Sequence, residues 1–198
     1  MIYFIRHGET DWNIEKKTQG HTDIPLNDNG KKQALVLANK IKKIKINKII
    51  SSDLKRAMET AEIIGKILKC NSFETDKKIR EFNYGTLEGI CRDELTSETW
   101  EIFNNHPEKL NAESVYDVFL RIKSFFENLQ NDYNDNLLIV AHGGSLRVIK
   151  YYLENKIFDK DKYLKFYKDL KIKNADIFEW KNGVDNTVNL ITFDDNDS

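Results

Sequence analysis

Two short runs of consecutive apolar residues interrupt an otherwise mixed pattern of hydrophobic and polar positions. One covers Met1–Ile5 and the other covers Leu137–Ala141. A short run that lacks alternating polar residues is typical of a strand buried on both faces, as in parallel sheets. The sequence therefore predicts two central strands, over 1–5 and 136–141.

Helices are predicted where apolar residues recur at spacings of three and four. The first covers Ala34–Ile41, with Asn27 or Asp28 as its N-cap. The second covers Leu54–Leu68 and would be capped by Asp53, because short polar side chains accept hydrogen bonds from the first free backbone N–H groups.

Two further helices are predicted later in the chain, Val115–Leu129 after a Ser114 cap and a helix from about Ser145 to Leu153. Shorter strands are predicted over 47–51, 72–76, 175–180 and 187–193, the last two joined across Asn182-Gly183. We expect a loop over 82–89, irregular or short helical structure over 91–105 with Trp100 and Phe103 facing inward, and a frayed tail over 194–198.

Strands that alternate with helices predict an α/β fold class, a three-layer α/β/α arrangement around a mostly parallel central sheet. In such sheets, ligands bind in the crevice at the carboxyl ends of the strands. His7-Gly8 and His142-Gly143 each follow one of the two buried strands directly. Both histidines are therefore predicted to lie at the ligand-binding edge.

Composition sets limits on the function. The chain has 198 residues, long enough for one domain with a full core, and Lys+Arg 31 against Asp+Glu 32 gives a net charge of −1. Neither nucleic acid nor a membrane is indicated as a partner. Cys70 and Cys91 have no metal-ligand spacing and are expected to be free thiols. With no signal-like or membrane-spanning segment, we expect a cytoplasmic protein.

Arginines accompany both the first histidine and the second predicted strand. A phosphomonoester carries about two negative charges near neutral pH, and planar guanidinium groups neutralise such an anion better than lysine does. Arg6 precedes His7 directly, and Arg56 lies where the second strand turns into its helix. These residues predict a phosphoryl-binding site.

Histidine is the best candidate nucleophile, since neither cysteine nor serine occurs in a nucleophile-elbow motif. His7 can attack through one ring nitrogen if the other is held by the backbone, and His142 can donate to the phosphoryl oxygens. A leaving alkoxide needs a proton, for which Glu81 is better placed than Glu88. A zinc site at the two histidines is disfavoured, because the Arg6 charge would repel a cation and no third ligand is suitably spaced.

The remaining motifs extend this pattern along nearly the whole chain, which resembles the histidine phosphatase superfamily, or phosphoglycerate mutase-like family. The matching segments are Arg6–Thr10 with Asn13, Pro25-Leu26 with Gly30 and Gln33-Ala34, Ser51–Ala61, Glu81–Gly89, Glu113-Ser114 with Arg121, and Ala141–Gly143. The chain departs from the family at Asn111-Ala112, where the family often has two glycines.

The resemblance implies a phosphoglycerate mutase-like fold and a covalent phosphohistidine at His7. It also implies that Arg6, Arg56 and His142 clamp the phosphoryl group and that Glu81 donates the proton. Asn13, Gly20 and Gly143 complete the implied substrate-binding set. The family uses no metal, so we expect no cofactor. A small lid is expected around 90–113, within one domain over 1–198, and Trp100 and Phe103 would wall the substrate pocket.

Three functions remain open at this point. A phosphatase would transfer the phosphoryl group from a small metabolite to water, and a mutase would return it to the substrate. The family's mutases are longer and carry paired arginines between the acid loop and the second His-Gly, whereas no Arg-Arg pair occurs between Glu81 and His142. Hydrolysis is therefore favoured over a mutase or a non-catalytic phosphate-binding protein. The chain resembles alpha-ribazole phosphatases and broad-specificity phosphatases. A sugar phosphate is another candidate substrate, and the sequence predicts neither the substrate nor the oligomeric state.

Overall fold

The fold is known from a computed structural model, which describes residues 1–129, 136–181 and 187–192. The strands are β1 (Ile2–Arg6), β2 (Lys48–Ser51), β3 (Phe73–Thr75), β4 (Leu137–Ala141), β5 (Ile177–Trp180) and β6 (Val188–Leu190). The helices are α1 (Asp11–Ile14), α2 (Asp28–Lys40), α3 (Lys55–Leu68), α4 (Ser97–Asn105), α5 (Val115–Asn128), α6 (Gly143–Asn155) and α7 (Lys160–Asp169).

The strands form one six-stranded sheet in the order β3-β2-β4-β1-β5-β6. Strands β3, β2, β4 and β1 pair in parallel, whereas β5 and β6 are antiparallel additions at one edge. The prediction of an α/β fold with a mostly parallel sheet is therefore confirmed. The connection across Asn182-Gly183 and the tail over 194–198 lie outside the described residues.

Both faces of the central strands are buried, as their uninterrupted apolar sequence predicted. Phe4 and Ile139 point into one apolar cluster, with residues of α5 and α6. Their strand neighbours Ile5 and Val140 point into a second cluster, with residues of α2 and α3. The alternation follows from the two-residue period of a strand, and it confirms the three-layer α/β/α arrangement.

Two of the predicted helix caps are confirmed and a third is wrong. The Asn27 side chain accepts from the Gly30 N–H, and the Ser114 side chain accepts from the Asp117 N–H. Helix α3 instead begins after Leu54 without any side-chain cap. The Asp53 carboxylate is engaged elsewhere, by the Arg80 guanidinium at 2.5 and 2.6 Å, because a bidentate charged pair competes successfully with a single backbone bond.

The segment over 91–105 contains a short helix, α4, and Trp100 and Phe103 pack against the first apolar cluster as expected. Helices α1 and α7 were not anticipated from the sequence. No helix in the described part of the chain combines the length and apolar character needed to span a bilayer.

Candidate active site

Strand register brings the two histidines together. In the parallel pair β1–β4, Arg6 lies opposite Ala141, and the backbone N–H of His7 donates to the Ala141 carbonyl at 3.0 Å. Each strand is followed directly by a histidine, so His7 and His142 emerge side by side at the carboxyl edge. Their ring centroids are 5.2 Å apart. The predicted juxtaposition is therefore present in the structure.

The His7 imidazole is buried and is oriented by its own chain. Its Nδ1 lies 2.7 Å from the Gly8 carbonyl oxygen. Because a carbonyl can only accept, Nδ1 carries the hydrogen and the Nε2 lone pair is left free in the neutral ring. Burial, followed by the charges of Arg56 and Arg6, lowers the pKa of His7 well below its usual value. The ring is neutral at pH 7 and able to attack through Nε2.

The His142 imidazole has the complementary arrangement. Arg56 Nε–H donates to His142 Nδ1 at 3.2 Å, which fixes the hydrogen of the neutral ring on Nε2. This buried Nε2 has no hydrogen-bond partner within the described residues. Burial and the charge of Arg56 lower the pKa of His142 well below its usual value. The site thus contains an unused N–H donor beside an unused lone pair on His7.

Arg56 is fully buried at the start of α3. In addition to His142, its guanidinium donates to the carbonyls of Thr22 at 2.9 Å and Gly20 at 2.7 Å. Gly20 adopts φ +55°, and a Cβ there would collide with the Glu88 carboxyl. Burial lowers the pKa of Arg56 to about 10, so the guanidinium remains charged at neutral pH. Gly20 therefore orients this arginine through its backbone carbonyl.

Arg6 supplies a second positive charge, which is partly buried. Its NH1 group donates to the Ile172 carbonyl at 2.5 Å, whereas its buried Nε has no partner within the described residues. A Cβ placed on Gly143 would lie 3.5 Å from that Nε. Burial lowers the pKa of Arg6 to about 10, opposed by the negative charge of Glu81. Gly143 thus leaves room beside a guanidinium whose Nε–H is available to a ligand.

The Glu81 carboxylate is held against the N-terminus of α6. Its Oε2 accepts from the Gly144 N–H at 2.9 Å, and its Oε1 accepts from the N–H groups of Phe82 and Ser145, each at 3.0 Å. A Cβ on Gly144 would lie only 2.3 Å from Glu81 Oε1. This close approach requires glycine at 144. Oε1 thus accepts two hydrogen bonds, whereas Oε2 accepts one.

The loop that bears Glu81 is fixed by Arg121 of α5. The Arg121 guanidinium donates to the carbonyls of Lys78, Arg80 and Glu81 at 2.6 to 2.9 Å. It also forms two hydrogen bonds with the Glu113 carboxylate, at 3.0 and 3.1 Å. One cation therefore ties three backbone carbonyls of the segment over 78–81 to α5 and sets the position of Glu81.

Asn13 lies next to the first histidine motif, as predicted. Its Oδ1 accepts from the Thr10 backbone, and from Asn174 Nδ2 at 3.2 Å. Asn174 Nδ2 also donates to the carbonyls of His7 and Gly8 at 3.0 and 3.2 Å. Sequence reasoning missed Asn174, because it lies 167 positions from His7 and has no motif around it. With its oxygen engaged, Asn13 has its Nδ2 amide group to offer a ligand.

Glu88 and His21 support the loops around the site. The Glu88 carboxylate holds the loop after α1, since it accepts from the N–H groups of His21 and Thr22 at 2.8 Å. The His21 Nε2 lies 3.0 Å from the Glu81 carbonyl oxygen. The imidazole is thus a support for the acid loop, which no local sequence pattern indicated.

The segment over 90–113 covers an aromatic cavity of about 320 Å³. Trp100 and Phe103 of α4 line it, as the sequence suggested, and so do Tyr163 and Tyr167 of α7. Asn111 ends this segment in the left-handed region, at φ +52°. This conformation favours glycine but is tolerated by asparagine, which explains how the departure from two glycines is accommodated.

A search of the described residues finds no group of three or more His, Cys, Asp or Glu side chains arranged to hold a metal ion. His7 and His142 are accompanied by two guanidinium groups, and the nearby Glu81 oxygens accept backbone N–H groups. The hydrogen-bond donors around the histidines suit a negatively charged ligand.

Comparison with known proteins places this geometry in a family. The family described as histidine phosphatase superfamily (branch 1) matches residues 2–181. Phosphoglycerate mutase-like protein 4 of Arabidopsis thaliana is 36% identical over 157 residues, covering 74% of this chain and 67% of that one. Uncharacterized phosphatase PhoE of Bacillus subtilis is 36% identical over 151 residues, covering 75% and 74%.

Solved structures agree with this placement. Phosphoserine phosphatase of Entamoeba histolytica, in complex with 3-phosphoglyceric acid, is similar with a TM-score of 0.75 and 26% identity over 97% of this chain and 95% of that one. Most of the chain therefore takes part in both the sequence match and the structural match. The chain belongs to the histidine phosphatase superfamily.

Proposed function

We propose that this protein hydrolyses phosphomonoesters of small metabolites through a phosphohistidine at His7. One observation carries the proposal: two neutral imidazoles, one with a free lone pair and one with a free N–H, lie 5.2 Å apart by ring centroid, beside the buried Arg56 and the partly buried Arg6. An uncharged imidazole nitrogen can act as the nucleophile, and the concentrated positive charge can bind a phosphate dianion.

The charges favour binding before any chemistry occurs. Arg6 and Arg56 bring two positive charges and a phosphomonoester brings about two negative ones, so the filled site is close to neutral. The free Nε–H of Arg6 and Nε2–H of His142 then donate to phosphoryl oxygens. The Nδ2 of Asn13 adds a further donor. Because these groups are held by the backbone, little reorganisation is needed at the moment of reaction.

In the first half-reaction, His7 Nε2 forms a bond to phosphorus as the ester P–O bond breaks. The proton on Glu81 Oε2 passes to the leaving oxygen, which departs as an alcohol, and Glu81 becomes a carboxylate. His142 Nε2–H and the two guanidinium groups stabilise the charge on the three equatorial oxygens.

In the second half-reaction, water attacks phosphorus and the P–N bond to His7 breaks. The Glu81 carboxylate takes a proton from that water, so phosphate is released and both residues return to their starting states. Apart from the substrate and water, every group in these two half-reactions is a side chain of the protein. We therefore expect activity to survive treatment with a metal chelator, as a metal-independent and cofactor-free reaction.

A mutase is the second candidate, because one relative carries the name phosphoglycerate mutase-like protein. A phosphoglycerate mutase handles a carboxylated intermediate that carries two phosphates, and these charges require additional cations near the pocket. Arg92 is the one charged residue among those described that line the cavity near Glu81, and the other lining groups are mostly aromatic. The scarcity of cations in the lining favours hydrolysis over the mutase reaction. The sequence leaves alpha-ribazole phosphate and a sugar phosphate open as candidate substrates.

Two incubations separate these activities. Purified protein is given a chromogenic phosphomonoester and, separately, 3-phosphoglycerate with its bisphosphate. Phosphate release without isomerisation is the expected result. Isomerisation would establish the mutase instead, and the absence of both reactions would favour a phosphate-binding protein without catalysis.

A further inference from the structure

The aromatic cavity lies directly beside the proposed proton donor. It is lined by rings from three segments, namely the acid loop, α4 and α7: Phe82, Tyr84, Trp100, Phe103, Tyr163 and Tyr167. Phe82 follows Glu81 in the chain, and a Cβ on Gly144 would meet both Glu81 Oε1 and Phe82 Cδ2, at 2.3 and 2.8 Å. The cavity therefore adjoins the residue that is proposed to protonate the leaving group.

The rings that form the cavity wall support one another. Tyr84 stacks on Phe103 with ring centroids 5.1 Å apart, and Trp100 meets Phe103 edge-on at 5.8 Å. On the other side, the Arg147 guanidinium lies 4.6 Å above the Tyr167 ring. Aromatic pairs in these arrangements are mutually stabilising. The cavity thus has fixed, flat walls, and its 320 Å³ falls within the range of small-molecule pockets.

One buried polar atom in the wall lacks a partner. Tyr163 is 2% exposed, and its hydroxyl makes no hydrogen bond within the described residues. A buried hydroxyl without a partner is costly, and in most proteins such groups are satisfied. Because Tyr163 also lines the cavity, its hydroxyl indicates that the natural occupant brings a hydrogen-bonding group to that point.

The rest of the lining excludes strongly polar occupants. Among the described lining residues, Arg92 is the only one with a charge and Asn104 the only amide. A sugar would have to leave several hydroxyl groups unpaired against these rings, whereas a planar apolar group would bury its faces. The chemistry of the wall therefore selects an aromatic ring with few polar substituents.

We propose that this cavity binds the leaving group of the substrate and that the leaving group is an aromatic or arylalkyl alcohol with a polar substituent that reaches the Tyr163 hydroxyl. This inference rests on the proposed phosphatase function and narrows its substrate class. Trp100 and Phe103 determine specificity through contact with the ring, and Tyr163 does so through its hydroxyl.

The test compares substrates that share their chemistry at phosphorus. Ethyl phosphate and 2-phenylethyl phosphate both release a primary alcohol, so kcat/KM for the pair isolates the contribution of the ring. The wild-type protein should prefer the phenylethyl ester by about tenfold or more, as expected for burial of a ring. Trp100→Ala and Phe103→Leu should lower that preference severalfold. The control is Phe73→Ala, which removes a half-exposed aromatic ring of β3 that does not line the cavity.

Tyr163→Phe tests the polar contact with almost no change of shape. It should lower, severalfold, the ratio of kcat/KM for a phenylethyl ester with a ring hydroxyl to kcat/KM for the unsubstituted ester. Equal effects on both esters would overturn the role given to the Tyr163 hydroxyl.

Failure of this inference differs from failure of the proposed function. If ethyl and phenylethyl phosphate are hydrolysed equally well, the phosphatase stands and the aromatic subsite is wrong. If neither is hydrolysed, the proposed phosphatase function is wrong. Calorimetry with ethylphosphonate and 2-phenylethylphosphonate then tests whether the cavity binds an aromatic group. Tighter binding of the aromatic phosphonate, lost in Trp100→Ala, would support the subsite, and equal binding would overturn it.

Discussion

The histidine edge of the sheet and the aromatic cavity beside it are built in different ways. At the edge, His7 and His142 leave adjacent parallel strands, and backbone register alone sets their distance. The cavity is instead assembled from side chains of the acid loop, α4 and α7, which are distant in sequence. The phosphate site depends on the backbone, whereas the cavity depends on the packing of helices over it.

This difference separates the residues that carry out the reaction from the residues that determine substrate specificity. The phosphate group is common to all candidate substrates, and the groups that face it are buried and tied to backbone carbonyls. The leaving group varies, and it faces aromatic rings that can be exchanged without disturbing strand register. Substitutions at the edge should therefore abolish chemistry, and substitutions in the cavity should redistribute activity among substrates.

The largest expected effect is that of His7→Ala. Removing the nucleophile should lower kcat by about 10⁴-fold or more and abolish acid-labile labelling by a radioactive phosphate donor. Binding of 2-phenylethylphosphonate to the cavity should survive, which would separate the two regions experimentally. His106→Ala serves as the control, since this histidine is exposed. Labelling that persists in His7→Ala would refute the nucleophile assignment.

Glu81→Gln tests the proton donor, which lies between the histidine edge and the cavity. Without a proton donor, kcat for an alkyl phosphate should fall by about 10² to 10³-fold, while that for 4-nitrophenyl phosphate falls by about tenfold or less. Nitrophenolate needs little protonation, so the ratio isolates proton transfer from any distortion of the loop. The measurement is steady-state kinetics with both esters, and equal losses would assign Glu81 a structural role instead.

Arg121→Met tests how firmly the acid loop is attached to α5. The variant loses hydrogen bonds to three carbonyls and the contact with Glu113, so the free energy of unfolding should fall by about 2–4 kcal/mol. Lys123→Met is the matched control, because its ion pair with Glu127 on the same helix is exposed and is worth about 1 kcal/mol or less. Urea unfolding of both variants provides the comparison, and similar losses would contradict the anchoring role.

The smallest effect concerns pH. The pKa of both histidines lies below the unfolded value of 6.5, so below about pH 6.5 the unfolded chain binds protons that the folded chain does not. Their stabilising contribution is full above that pH and is lost progressively as pH falls. Unfolding measurements should show roughly half of this slope in His142→Asn and an unchanged slope in His106→Gln.

The sequence was sufficient for the central strands and the histidine edge, because an uninterrupted apolar run that leads directly into a histidine is a local signal. It failed where distant residues compete. Asp53 forms an ion pair with Arg80 rather than capping α3, and Asn174 reaches the first histidine motif from the opposite end of the chain. The same reason explains the cavity: Tyr163 has the pattern of a core residue, and only the fold shows that it lines a cavity.

The central claim is most directly tested by a crystal structure of the protein with orthovanadate. Vanadate mimics the five-coordinate phosphoryl group during transfer. The account predicts a bond from vanadium to His7 Nε2, with His142 Nε2 and the Arg6 and Arg56 guanidinium groups on the equatorial oxygens and Glu81 at the opposite apex. Vanadium bonded to His142, or held away from both imidazoles, would contradict it.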